Sequence, residues 1–275
     1  MLEIEVRGGL GDLLIKFHHT TAYEELCALG QFDRARVTII SHNPFADELL
    51  KWHPNRDRID VVKSSSFIVE YDKPDLRRAV GVPEIAPPDR PARDPKPVTF
   101  YPSPADLAIL DFELPPEPYL VIAPTASGME IENRDIPGPM LEMIAIATLL
   151  RGIPIVLVGR TYQGPHAPKN PWPRPCGDRI LDLTDRLTVP GTIEVVKRAR
   201  AGVFAHSALL QLAWVERKPN FVLYPPKYKW HDFDNPSPFA FGKDFPETTR
   251  MLFEEFKASK FSAFLSTHFK RGNLP

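Results

Sequence analysis

The chain has 275 residues, of which 43% are hydrophobic and 25% charged, with a formal net charge of -1. That balance supports a soluble globular core in one large or two modest domains, and it argues against a whole-molecule electrostatic grip on nucleic acid. The two cysteines, Cys27 and Cys176, lie far apart without metal-ligand spacing, so neither a disulfide framework nor a zinc site is suggested and a reducing, cytoplasmic setting is expected.

The elements follow in chain order. Met1-Leu2-Glu3-Ile4-Glu5-Val6 is too acidic for a signal peptide, and no apolar run reaches about eighteen residues, so no transmembrane segment is expected. Leu2 to Val6 reads as a strand, Asp12 to Leu29 as a helix, Arg36 to Ile40 as a strand, Ala46 to Trp52 as a short helix and Ile59 to Lys63 as a strand. Ser103-Pro104-Ala105-Asp106 reads as a capping box with Pro104 at the first helical position. Leu114-Pro115-Pro116-Glu117-Pro118 then forms a stiff linker. A second series follows: strand Tyr119 to Ala123, helix Pro139 to Arg151, strand Pro154 to Val158, helix Thr192 to Ala201, strand Gly202 to Ala205, helix Ser207 to Arg217 and strand Asn220 to Leu223. Short apolar runs alternating with helical patterns predict an α/β protein with parallel sheets.

Proline is abundant, with 31 residues, and concentrates between Asp75 and Pro97 and between Gly164 and Pro175. Both stretches read as extended surface loops. The last segment, Pro246 to Lys270, puts Leu252, Phe253, Phe256, Phe261, Phe264, Leu265 and Phe269 on an approximately helical apolar face.

Ligands of open parallel sheets bind beyond the carboxyl ends of the strands. Four segments occupy such places: Gly8 to Asp12, Pro124 to Arg134, Gly159 to Tyr162, and His206-Ser207. In the first, Gly9 and Gly11 permit close backbone approach, and the following helix offers unpaired amides. No third glycine completes the dinucleotide fingerprint. Asp12 at this turn suits a general base, and it equally suits a cap of its own helix. His18-His19 cannot form a two-histidine metal site, because adjacent positions do not share a helical face. Lys227-Tyr228-Lys229-Trp230-His231 mixes cations with aromatics, a pattern that stacks rings in some sites and forms exposed loops in most.

In this order of features the chain resembles the heptosyltransferase-like GT-B glycosyltransferases, the lipopolysaccharide heptosyltransferases and their relatives, over roughly residues 1 to 225. The likeness rests on Gly11-Asp12 after the first strand, Val37-Thr38-Ile39-Ile40, His53-Pro54, the run Pro118 to Ser127 with Arg134 and Pro137 after it, the strand ending at Gly159, and Leu181-Asp182-Leu183-Thr184. The resemblance implies two Rossmann-like domains around a cleft, 1–114 on the acceptor side and 115–245 on the nucleotide-sugar side, with 246–275 as a C-terminal helix returning to the first domain. It also implies an inverting, metal-independent transfer from a nucleotide diphosphate sugar to an acceptor hydroxyl, with Asp12 as base, and no separate cofactor. Thr125, Ser127, Arg134, Gly159, His206, Ser207 and Gln211 would line the donor side, and Gly9 and Gly11 the acceptor side.

The chain departs from that family at one signature. Where Asp-Ser/Thr-Gly-x-x-His is usual, it reads His206-Ser207-Ala208-Leu209-Leu210-Gln211, which adds a methyl group and replaces an imidazole with an amide. Pro225-Pro226-Lys227 likewise stands where Gly-Pro-Thr is usual. A non-catalytic or repurposed sugar-nucleotide binder therefore stays open beside the transferase, as does a sugar-nucleotide hydrolase or epimerase. No motif identifies the acceptor, whether glycan, lipid-linked sugar, protein, metabolite or modified nucleic-acid base.

Overall fold

The computed structural model describes residues 1–19, 22–30, 32–41, 43–64, 98–126, 134–161, 175, 177–225 and 248–269. Two parallel sheets organise the chain. The first runs β1 (Leu2–Arg7), β2 (Ala35–Ile40), β3 (Ile59–Ser64) in that spatial order. Residue Leu2 pairs with Ala35, and Ala35 with Ile59. Helices α1 (Leu10–His19) and α2 (Ala22–Ala28) join β1 to β2, while the short α3 (Glu48–Lys51) precedes β3. The single helix expected over Asp12 to Leu29 is thus two, and the one expected over Ala46 to Trp52 keeps only its middle.

After α4 (Pro104–Phe112) the second sheet begins. Its strands are β4 (Leu120–Ala123), β5 (Ile155–Leu157), β6 (Ile180–Asp182), β7 (Ala201–Ala205), β8 (Asn220–Tyr224) and β9 (Thr248–Leu252). Their spatial order is β6-β5-β4-β7-β8-β9. Counted from its own first strand this is the doubly wound dinucleotide-binding order, with the direction of winding reversing between β4 and β7. Helices α5 (Gly138–Leu149), α6 (Val189–Arg198), α7 (Ala208–Val215) and α8 (Ala258–His268) complete the chain.

The pleat of the second sheet divides its side chains between two cores. Val121, Ala123, Phe204, Val222 and Tyr224 face one core, and Leu120, Ile122, Val203, Phe221 and Leu223 the other. Alternation along each strand produces this split, and burial on both faces explains why these strands read as unbroken apolar runs. The first core continues without a break into the first sheet. It holds Val6, Leu13, Leu14, Phe17 and Val37 together with Val195, Leu210, Ala213 and Trp214.

Two expectations for the tail fail. Its amino-terminal part is strand β9, pairing with β8 from Asn220↔Thr248 to Tyr224↔Leu252; the β-branched Thr248-Thr249 pair suits the pleat better than a helix. Helix α8 does not return to the first sheet. Phe261, Phe264 and Leu265 enter the second core, where Phe221 meets Phe261 and Phe264 at ring-centroid distances of 5.2 and 5.6 Å. The aromatic face of α8 finds its pocket between Phe221 and α5, so it covers the sheet to which it is directly joined.

Candidate functional site

The winding reversal between β4 and β7 places the loop after β4 and the loop after β7 side by side at the carboxyl edge of the second sheet. Thr125 and Ala126 follow β4. The buried carboxylate of Asp135 accepts the Ala126 backbone N–H at 2.9 Å, and Pro124 O accepts the Ile136 N–H at 2.8 Å. These bonds clamp the base of the loop, leaving Arg134 half-buried at its exit. Ser127 lies outside the described residues, as do Lys227 and the aromatic run to His231.

Gly159 follows β5 with φ 156°, a conformation that side chains disfavour, and a β-carbon there would lie 3.3 Å from Thr125 Oγ1. The loops after β4 and β5 therefore close on each other at Thr125 and Gly159. Beyond them, Thr161 donates its N–H and hydroxyl to the two oxygens of Asp185 at 2.6 and 2.7 Å.

After β7 come His206 and Ser207. Ser207 is the N-cap of α7 in extended conformation, but its side chain makes no capping bond, and its buried Oγ has no hydrogen-bond partner among the described residues. Gln211 lies one turn further along and is 8% exposed. The ring of His206 sits 5.3 Å from that of Tyr224.

The first sheet brings its glycine turn to the same place. Gly8, at φ 118°, donates its N–H to Ile40 O at 3.0 Å and turns the chain from β1 into α1. Gly9 O accepts the Leu13 N–H at 3.2 Å, so the helix begins at once. Asp12 is in the first turn of α1; its side chain lies outside the described residues. A β-carbon on Gly11 would lie 3.6 Å from Ala208 Cα and 3.9 Å from Ala208 Cβ. The first turns of α1 and α7 thus approach each other, which brings the turn that carries Gly9, Gly11 and Asp12 to the start of α7.

A second bridge between the sheets was not foreseen from sequence. The Arg160 guanidinium lies 3.9 Å over the Phe45 ring, donates from Nη1 to Leu187 O at 2.5 Å, and pairs with Glu48 Oε2 at 3.5 Å. The same Glu48 oxygen accepts the Val189 N–H at the start of α6, at 2.7 Å. The loop Gly159 to Tyr162 was legible as a site segment, but nothing local marks Arg160 as a reach across 112 positions to Glu48.

The contacts of the His53 imidazole are within the first half of the chain. The ring is buried beside Tyr23 and Tyr101, accepts the Asn55 N–H on Nδ1 at 3.1 Å and approaches Cys27 Sγ with Nε2 at 3.4 Å. Burial holds its pKa below the ordinary 6.5 and pushes the Cys27 thiol up. No group of three or more His, Cys, Asp or Glu side chains gathers into a metal centre among the described residues. No helix there is long and apolar enough to cross a membrane. A cleft of about 920 Å³ opens between the proline linker and Arg200, Arg217 and Pro219. It lies at the amino ends of β7 and β8, the opposite end of the sheet from the loops above.

The architecture matches solved glycosyltransferases over nearly the whole chain. Escherichia coli ADP-heptose lipopolysaccharide heptosyltransferase II superimposes with a TM-score of 0.58 at 13% identity, covering 97% of this chain and 98% of that one. E. coli heptosyltransferase WaaC, solved with ADP, gives 0.52 at 12% identity over 97% and 100%. A glycosyl transferase family 9 protein from Veillonella parvula gives 0.51 at 14% identity over 99% and 91%. No protein-family model and no curated protein matches the sequence. At such identities the likeness is one of fold, and the fold is GT-B, with two Rossmann-like parallel sheets.

Proposed function

We propose that the chain is a glycosyltransferase that uses a nucleotide diphosphate sugar bound at the carboxyl edge of the second sheet. The observation that carries this reading is the coincidence of three segments at one place: Thr125-Ala126 after β4, His206-Ser207 after β7, and the turn from Gly8 into α1, whose Gly11 faces Ala208. In this reading the Asp12 carboxylate takes the proton of an acceptor hydroxyl. That oxygen attacks the anomeric carbon from the face opposite the leaving group, the bond from carbon to phosphate oxygen breaks, and the diphosphate departs with the electron pair. Arg134 offsets the growing negative charge, with Thr125, Ser127 and Ser207 donating hydroxyl hydrogens. A metal is not required, because the guanidinium and the amino end of α7 supply the positive potential.

One observation favours a second reading, a sugar-nucleotide binder without turnover. The Ala208 methyl, which stands where the resembling family has glycine, lies 3.9 Å from where a β-carbon on Gly11 would be, and this narrows the approach of a donor to the turn that carries Asp12. The two readings separate in solution. Calorimetric titration with ADP, UDP and GDP is expected to show binding of one of them, and a folded sample that binds none overturns both. If a nucleotide binds, hydrolysis-corrected consumption of the matching nucleotide sugar in an acceptor pool supports transfer, and its absence leaves the binder. Asp12→Asn is expected to retain nucleotide affinity and lose transfer; full turnover by that variant removes Asp12 as base.

A further inference from the structure

The cleft at the amino edge of the second sheet takes no part in the site proposed above. It is framed by the connections that enter three adjacent strands: the linker Pro115 to Tyr119 before β4, Arg198 to Arg200 before β7, and Glu216 to Pro219 before β8. Pro115, Pro116 and Pro118 stiffen the linker side, and Arg200, Arg217 and Lys218 stand across from them. At about 920 Å³ the cleft has the size of a small-molecule site.

Each carboxylate of the lining is already paired with another cation. Asp111 pairs with Arg198 at 3.4 Å, Glu117 with Arg179 at 2.6 Å and Glu216 with Lys197 at 3.4 Å. Arg200 and Lys218 form no ion pair among the described residues. Of five guanidinium N–H groups Arg200 uses one, donating from Nε to His268 O at 3.1 Å, and of three ammonium hydrogens Lys218 uses one, on Ala199 O at 3.1 Å. The two cations also act on each other. Burial holds the Lys218 ammonium below the usual lysine range; Glu216 and Glu194 oppose that shift, and the charge of Arg200 adds to it. Attraction to a helix carboxyl end accounts for Arg198, in the last turn of α6, but it fades within that turn, and Arg200 and Lys218 lie beyond the ends of α6 and α7.

We propose that this cleft binds a small soluble ligand bearing a phosphate group, held between Arg200 and Lys218 with its organic part against the prolines of the linker. A phosphate monoester carries close to two negative charges at neutral pH and three strong acceptor oxygens, so it answers both cations at once, where a carboxylate answers one. The planar guanidinium suits two of the oxygens and the compact ammonium the third. The bound anion relieves the repulsion between the two cations and ties the linker to the entries of β7 and β8. Because the cleft and the carboxyl-edge loops lie at opposite ends of the sheet, this site stands whether or not a nucleotide sugar binds at the other.

Calorimetric titration of the full chain with inorganic pyrophosphate tests the assignment. Two charge-assisted contacts correspond to a Kd of about 0.1–1 mM. Pyrophosphate also suits the carboxyl-edge loops, so the titration is run on Arg134→Gln, which is expected to keep one site per chain. In that background Arg200→Gln and Lys218→Gln should each weaken binding about tenfold. Pro116→Glu sets a carboxylate at an exposed position of the cleft and removes no donated hydrogen bond, so it should weaken binding by about the same factor through repulsion. Thermal denaturation of each variant controls for folding. An Arg134→Gln chain that binds no pyrophosphate up to about 10 mM, or affinities that all three further substitutions leave unchanged, overturns the proposal. So does a chain blind to pyrophosphate that co-sediments with phosphatidate vesicles and loses that ability in Lys218→Gln, which would give the cations to a lipid surface.

Discussion

Thr188 gives its backbone N–H to Asp106 Oδ1 at 2.9 Å and its hydroxyl hydrogen to Asp106 Oδ2 at 2.6 Å, so one carboxylate holds the amino ends of two helices together. Asp106 Oδ2 also accepts the Ser103 N–H at 2.7 Å, while Ser103 Oγ accepts the Asp106 N–H at 3.0 Å. Thr188 Oγ1 in turn accepts from Gly191 N at 3.3 Å and caps α6. Asp106 is 2% exposed, so its loss strands several donors away from water. Asp106→Ala is expected to destabilise the fold by about 3 kcal/mol and Thr188→Val by about 1–2 kcal/mol. A double-mutant cycle by chemical denaturation should return a coupling of about 1 kcal/mol or more; additive losses would show that the two caps act separately.

Gly11 offers a way to separate folding from function. It sits at helical φ rather than in the left-handed region, and a β-carbon there meets Ala208 only at ordinary contact distance. Gly11→Ala is therefore expected to leave stability unchanged or raise it by about 0.5–1 kcal/mol. If the turn admits a substrate backbone-close, the same variant lowers nucleotide-sugar consumption at least about tenfold, since one methyl group displaces a closely held ligand atom. Equal activity with equal stability would place the reacting groups elsewhere.

The Arg160 bridge joins the two sheets through a stacked ring, a carboxylate and a carbonyl. Arg160→Lys keeps the charge but loses the planar stack on Phe45, so it is expected to behave more like Arg160→Ala than like the wild type, with a loss of about 1–2 kcal/mol. Small-angle scattering should report a larger radius of gyration for both variants. An unchanged radius would mean that the shared core alone fixes the two sheets.

Buried His53 sets a pH dependence. Its pKa in the fold lies below 6.5 because of burial, so the unfolded chain binds the proton more readily. The stabilisation from a neutral His53 is complete above about pH 6.5 and is lost progressively as pH falls toward the folded pKa. His53→Gln should flatten that slope in urea-denaturation midpoints measured between about pH 7.5 and 5, although Asn55 N–H then loses its acceptor and the plateau falls. A wild-type slope that survives the substitution would assign it to another group.

The second sheet was legible because burial on both faces writes each strand as an apolar run, as in Leu120–Ala123 and Asn220–Tyr224. The Ser103 capping box was legible because it closes within four residues. Its further bond to Thr188 spans 82 positions and leaves no local trace. Likewise the site loops could be located, since strand ends are set by the runs, whereas Arg160 could not be told from any loop arginine. The tail misled for a physical reason: a phenylalanine-rich face states that a helix is covered, not by which sheet. The nearest apolar surface, around Phe221, took it.

The first core crosses the proline linker without interruption, from Phe17 on α1 to Trp214 on α7. The two halves of the chain are consequently not interchangeable cassettes. A chimera that imports a second half from another GT-B protein would have to import α1 with it, and fragments split at the linker would each be sticky alone and find one another when mixed. Any divergence that retunes what one half binds must therefore keep the shape of the shared seam, which confines change to the loop tips around it.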